Sequence, residues 1–195
     1  MVTERAGQVE RVSRETQLLC QVRLDAGGEI EIATGLGFLD HMMEQVARYG
    51  RLDLRLRGSG DLHVDEHHLI EDTGIVLGQA LSAALGDRAG IARFAHAYAP
   101  LDEALCRVVI DLGRRPFLSY NVPLSGPIGS LDSETLEEWW RAFSIHAGAA
   151  IHVDLIRGQN RHHIAESAFK ALGLALRQAV IVSGDAVPSS KGLLG

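Results

Sequence analysis

At 195 residues, with 46% hydrophobic and 23% charged side chains, the chain can bury a sizeable core as one domain, or as one domain built from two similar halves. A formal charge of -6 argues against broad nucleic-acid binding, which needs a dense field of Lys and Arg, while leaving room for a local anion site. No run of about 18 apolar residues spans a bilayer, the charged opening MVTERAGQVER lacks a signal-peptide core, and Cys20 and Cys106 form no CxxC pair; a cytoplasmic protein is expected.

In chain order, GQVERVSRETQLLCQVRLD (7–25) alternates in part as a strand does, Gly27 and Gly28 turn it, and EIEIATG (29–35) is its expected hairpin partner. GFLDHMMEQVARYG (37–50) has helical spacing and a Gly stop. RLDLRLRG (51–58) alternates strictly, with Leu52, Leu54 and Leu56 on one face. HHLIEDTGIVLGQALSAALG (67–86) is a second helix, weakened by Gly74 and Gly78. The order then recurs. ALCRVVIDLG (104–113) and RPFLSYNV (115–122) are strands, and SLDSETLEEWWRAFSIHAG (130–148) is a helix capped from Ser130 or Ser133. AAIHVDLIRG (149–158) is a strand and HHIAESAFKALGLALRQAV (162–180) a helix. VPLSGPIGS (122–130) is a loop, and GDAVPSSKGLLG (184–195) a tail with turn chemistry.

Both halves therefore read strand, strand, helix, strand, helix. The expected fold is α+β: one two-layer unit duplicated at a period of about 95 residues, its helices packed between two mostly antiparallel sheets. Residues 1–92 form the first repeat and 93–195 the second.

The chemistry concentrates in HHLIE (67–71) and HHIAE (162–166). From the His and Glu frequencies of this chain, HHxxE arises by chance roughly 0.03 times, so two copies at matching points of a duplicated unit require a reason. On a helix, residues four apart share a face and adjacent residues diverge by about 100°. His67 then pairs with Glu71 and His162 with Glu166, while His68 and His163 turn to a second site. With pseudo-twofold symmetry, one metal takes His67, Glu71 and His163, and the other takes His162, Glu166 and His68. Three protein ligands with open positions mark a working site rather than a structural one.

A further ligand is expected one helix upstream. His41 precedes His67 by 26 residues, and aligning LDHM with LEEW matches it to Glu138, 24 before His162. His41 joins the second metal and Glu138 is a candidate for the first. Imidazole with carboxylate suits Mn, Fe, Co or Zn alike. Asp40, Asp65 and Asp72 either orient ligand imidazoles or are solvated helix-cap carboxylates; His63, His96, His146 and His152 are read as structural or as supporting the ligands.

The blocks RETQ, GFLDHMMEQVARYG, DEHHLIEDTG, RFAHAYAPLDEAL, GRRPFLSYN, NRHHIAESAFKALGLALRQAV and VPSSKG, in this order along nearly the whole chain, resemble the imidazoleglycerol-phosphate dehydratase family. The resemblance implies a lyase of histidine biosynthesis that removes water from imidazole glycerol phosphate to give imidazole acetol phosphate. It implies two Mn2+ per site, ligated by His41, His67, His68, Glu71, His162, His163 and Glu166, and an assembly of about 24 subunits with sites between neighbours. Many relatives carry His where this chain has Glu138. Glu15 is implied as the acid–base group, with Gln45, Asp102 and Glu44 as weaker positioning candidates. Arg93, Arg115, Ser189, Ser190 and Lys191 match phosphate-binding positions, making the tail part of the site.

The chemistry these groups serve is demanding, because the hydrogen to be lost is not acidified by a carbonyl. The expected answer is that two metals would polarise the substrate imidazole toward an imidazolate, whose electron density would expel the adjacent hydroxyl; proton loss would then give an enol and finally the ketone. The competing readings are a dinuclear metal-dependent phosphoester hydrolase and a non-enzymatic metal-binding protein.

Overall fold

The structure is a computed structural model, which describes residues 4–25 and 27–194. Strands β1 (Ala6–Val12) and β2 (Thr16–Arg23) form an antiparallel hairpin. Its turn is tied by Ser13, whose Oγ accepts the N–H groups of Glu15 at 3.1 Å and Thr16 at 3.0 Å. β3 (Ile30–Ala33) leads through α1 (Gly37–Gly50) to β4 (Asp53–Gly60), and α2 (His67–Leu85) follows. The sheet order is β1-β2-β4-β3, with β3 parallel to β4 and the other pairs antiparallel.

The second half repeats this plan. β5 (Phe94–Leu101), β6 (Ala104–Asp111) and β7 (Phe117–Asn121) precede a small hairpin of β8 (Pro127–Ile128) and β9 (Leu131–Asp132). α3 (Thr135–Ala147), β10 (Ala150–Arg157) and α4 (Arg161–Ala179) complete it. The order β5-β6-β10-β7, with β7 parallel to β10, matches the first sheet strand for strand.

Three details differ from the sequence reading. Each unit has a fourth strand: the run 7–25 is a hairpin rather than one strand, because Ser13 supplies a turn with neither Gly nor Pro, and Phe94–Leu101 is a strand in its own right. The segment 29–35 is not a hairpin partner of β2; the crossover through α1 sets β3 parallel to β4 on the far edge of the sheet. Neither Ser130 nor Ser133 caps α3. Its N-cap is Glu134, without a side-chain cap bond, and the Ser133 hydroxyl instead donates to Gly126 O at 2.7 Å.

All four helices lie between the sheets: α2 covers β1 and β2, α4 covers β5 and β6, and α2 meets α3 as α1 meets α4. Leu52, Leu54 and Leu56 are buried as their alternation predicts. The α2–α3 contact explains the helical glycines. A Cβ on Gly74 would stand 2.6 Å from Trp139 O, and one on Gly78 would stand 2.8 Å from Ala147 N, so the lost helix propensity is the condition for backbone approach. Trp139, buried beside them, stacks on Phe143 at 5.1 Å and meets Phe169 edge-on at 4.8 Å.

Matching caps align α1 and α3, the first helix of each unit. α1 ends on a left-handed Arg51 (φ 53) and α3 on a left-handed Gly148 (φ 59); ten residues back from each stand His41 and Glu138. Arg88, 1% exposed, joins the halves: its guanidinium donates to Leu112 O, Gly148 O, Ala147 O and Ser82 Oγ. Burial pulls its pKa down to about 10.

Candidate metal centre

The site begins at the N-terminus of α4. Asn160 Oδ1 accepts the backbone N–H of His162 at 2.9 Å and of His163 at 3.2 Å, a side-chain cap that starts the helix on the histidine doublet. Four residues on, the Glu166 carboxylate lies on the His162 face, with Oε2 3.1 Å from His162 Nε2. α1, packed alongside, brings His41 Nε2 to 3.2 Å from the same oxygen. The Phe38 ring meets His162 edge-on at 5.1 Å, and the Gln45 amide lies 3.2 Å from His41 Nδ1 and from His41 O.

His41, His162 and Glu166 thus offer two imidazole nitrogens and a carboxylate oxygen within 4.8 Å of one another. This donor set fits a divalent first-row ion. Burial pushes the Glu166 carboxyl up, but Lys170 and His41 together bring it below its ordinary value. Lys170 Nζ holds the other oxygen, Oε1, at 2.7 Å.

The remaining expected ligands lie apart. No second trio forms among the described residues: His67, Glu71 and Glu138 do not converge, and Glu138 pairs with Arg141 at 3.5 Å. His68 and His163 do not join the trio. Each has a carboxylate at its Nδ1, Asp61 at 3.1 Å and Glu103 at 2.8 Å. Each also has a hairpin-turn carboxylate 3.8 Å from its Nε2, Glu15 for His68 and Asp102 for His163. The hydrogen bond to Asp61 raises the His68 pKa, and that to Glu103 raises the His163 pKa. Glu103 in turn is held down to about 2 by His163 and by the backbone N–H groups of Asn160 and Gln159.

The carboxylates expected to orient imidazoles have other work. Asp40 accepts from Thr34 N–H and Oγ–H, Asp65 accepts the His67 backbone N–H, and Asp72 binds Thr16 Oγ1 and Arg11. Asp61 and Glu103 meet the imidazoles instead, and Lys170 holds the Glu166 carboxylate. Only Lys170 had a local signal, four residues past Glu166 on one helix face.

Arg93, Arg115, Ser189, Ser190 and Lys191 line one cavity of about 200 Å³, together with Gly113, Leu193 and Leu194. Arg93 forks onto Asp111 at 2.6 and 3.0 Å and donates to Pro188 O at 2.7 Å, so it also ties the tail to the sheet. No helix among the described residues is long and apolar enough to cross a membrane, and both cysteines are free and buried.

Fold and site together define a duplicated α+β protein whose two halves bring together an imidazole–carboxylate donor set able to hold a metal ion. A model of the family "Imidazoleglycerol-phosphate dehydratase" matches residues 34–176. Proteins of that name from Thiobacillus denitrificans (51% identical over 194 residues, 97% of this chain and all of that one) and Magnetococcus marinus (50% over 188 residues, 94% and 95%) are similar throughout. Crystal structures of the enzymes from Pyrococcus furiosus (TM-score 0.85, 36% identity, 95% of this chain and 100% of that one) and Staphylococcus aureus (0.83, 39%, 91% and 99%) share the fold.

The chain belongs to the imidazoleglycerol-phosphate dehydratase family. It is a metal-dependent hydro-lyase of histidine biosynthesis acting on a small phosphorylated imidazole substrate, converting imidazole glycerol phosphate to imidazole acetol phosphate.

Proposed function

We propose that this dehydration runs on two divalent ions, Mn2+ by preference, held by His41, His67, His68, Glu71, His162, His163 and Glu166, with Glu138 as a further donor. The observation that carries the reading is the convergence of His41, His162 and Glu166 within 4.8 Å. The duplicated HHxxE motif supports a second site of the same kind. Because only one trio closes among the described residues, the proposed sites are completed by neighbouring copies in a homo-oligomer of about 24 subunits. Residues 1–92 and 93–195 are proposed as the two repeats. The two free, buried thiols are in keeping with a reducing cytoplasm.

When bound, the metal supplies Lewis-acid polarisation of the substrate imidazole. The protein does the rest. Lys170 keeps one Glu166 oxygen occupied and so leaves the other to face both imidazoles. In the reaction the C–O bond next to the ring and the C–H bond of the middle carbon break, water leaves, and the resulting enol takes up a proton next to the ring to become the ketone. Glu15, half-exposed and 3.8 Å from His68 Nε2, is proposed to move these protons. Arg115, Ser189, Ser190 and Lys191 are proposed to hold the phosphate, with Arg93 fixing their tail.

Incubating Mn2+-loaded protein with imidazole glycerol phosphate tests the reading. Ketone product is expected; free phosphate would assign a hydrolase, and metal uptake without turnover a storage role. Light scattering is expected to give the mass of the large assembly, and a monomer that still turns over would sink the shared-site scheme.

A further inference from the structure

His68 and His163 occupy equivalent places in the duplicated unit, and a carboxylate meets each at Nδ1. Those carboxylates do not come from equivalent places. Asp61 stands one residue past the end of β4; one past the end of β10 is Gly158, which has no side chain to offer. Glu103 lies in the β5–β6 turn, whereas the carboxylate of the β1–β2 turn, Glu15, faces Nε2 of His68 instead. The two halves therefore reach the same contact by different routes, which duplication alone does not explain.

We infer that Asp61 and Glu103 are positioning residues that set the tautomer of His68 and His163, keeping the ring proton on Nδ1 and leaving Nε2 bare as the ligating atom. The inference rests on the reading of both histidines as metal ligands. An ionised carboxylate only accepts hydrogen bonds, so the nitrogen facing it carries the proton; a neutral imidazole has one N–H, and the other nitrogen is then a free donor to metal.

The two contacts differ in how firmly they are held. The Glu103 oxygens are divided: Oε1 accepts the backbone N–H groups of Asn160 at 2.8 Å and Gln159 at 3.2 Å, and Oε2 faces His163 Nδ1 at 2.8 Å. Both Asp61 oxygens lie near His68 Nδ1, at 3.2 and 3.1 Å. Opposite consequences follow for the amide variants. In Glu103→Gln the carbonyl oxygen must stay on the two backbone donors, so the NH2 group confronts His163 Nδ1, makes it an acceptor and moves the ring proton to Nε2. In Asp61→Asn the amide can turn its oxygen to His68 and preserve the tautomer.

The test uses the full-length chain with 15N-labelled histidine. Two-bond 1H–15N spectra of the metal-free protein, taken above the imidazole titration range, report each tautomer, and chelator competition reports Mn2+ affinity. Glu103→Gln is expected to convert one histidine from the Nδ1–H to the Nε2–H form and to lower affinity roughly 10–100-fold. Asp61→Ala is expected to lose affinity similarly, and Asp61→Asn to recover most of it. The melting temperature of each metal-free variant controls for folding, and should Glu103→Gln not fold, the Asp61 pair decides the matter. Wild-type tautomer and affinity in Glu103→Gln, or equal losses in Asp61→Asn and Asp61→Ala, overturn the inference alone. A wild-type chain that takes up no Mn2+ overturns the metal reading and this inference with it.

Discussion

Lys170 Nζ lies 2.7 Å from Glu166 Oε1, one turn back on α4, with both side chains nearly buried at 13% and 11% exposure. The pair spans a conflict: burial favours the protonated carboxyl, while Lys170 and His41 favour the carboxylate. In Lys170→Met, Glu166 is expected to hold its proton to higher pH. Metal affinity at neutral pH should fall about tenfold and decline sooner on acidification, as chelator competition across a pH series would record. Unchanged affinity would remove Lys170 from the centre.

Glu15 stands beside a candidate ligand without being one of the proposed donors. Glu15→Gln keeps the size and the Ser13-tied turn but cannot exchange a proton. Metal content is expected to match wild type while turnover falls by roughly 10²–10⁴; elemental analysis and steady-state kinetics check both. Wild-type turnover would strike Glu15 from the mechanism.

Lys191 is exposed on the tail cavity and contributes a point charge rather than structure. Lys191→Ala should raise KM with little change in kcat, the pattern of lost uniform binding. Arg93→Ala should do more harm, since it frees Asp111 and unties Pro188 as well. Equal kinetics for the two variants would contradict the division of roles.

Gly78 faces three backbone or near-backbone atoms of α3 within 2.9 Å of a notional Cβ. Ala is the better helix former by about 1 kcal/mol, yet overpacking at such a contact costs about 1–3 kcal/mol. Gly78→Ala is therefore expected to lower the melting temperature by several degrees. A raised melting temperature would mean that α2 and α3 can separate without penalty.

The metal-free chain should show an acid limb set partly by Glu103 and His163. Glu103 is depressed to about 2, so its contribution is present above its unfolded pKa of about 4.3 and disappears as pH falls through the folded value. His163 is raised, so its contribution is present below about 6.5 and disappears as pH climbs through the folded value. The pair stabilises most between those limits. Urea melts of Glu103→Gln should show a shallower loss of stability from pH 4 toward pH 2 (about that range); an identical slope would count against the pairing.

Much of the fold was legible because it rests on local periodicity. The α1 segment and the buried Leu52, Leu54 and Leu56 follow from spacing alone. The β1–β2 turn was hidden because Ser13 does with a hydroxyl what Gly or Pro more often does with backbone geometry. Gly74 and Gly78 read as weak points in a helix until α3 lay against them.

The amino-acid order alone determined the duplicated plan, the family and the chemical character of the histidine doublets, since helical spacing places His162 and Glu166 on one face whatever surrounds them. Tertiary structure decided which groups serve those doublets. His41 reaches Glu166 across 125 residues and Glu103 reaches His163 across 60, whereas Asp40, Asp65 and Asp72, though near in sequence, bind elsewhere. Spacing along one helix is a property of the backbone, but a hydrogen bond between elements depends on how sheets and helices pack, and that is settled by the whole core at once.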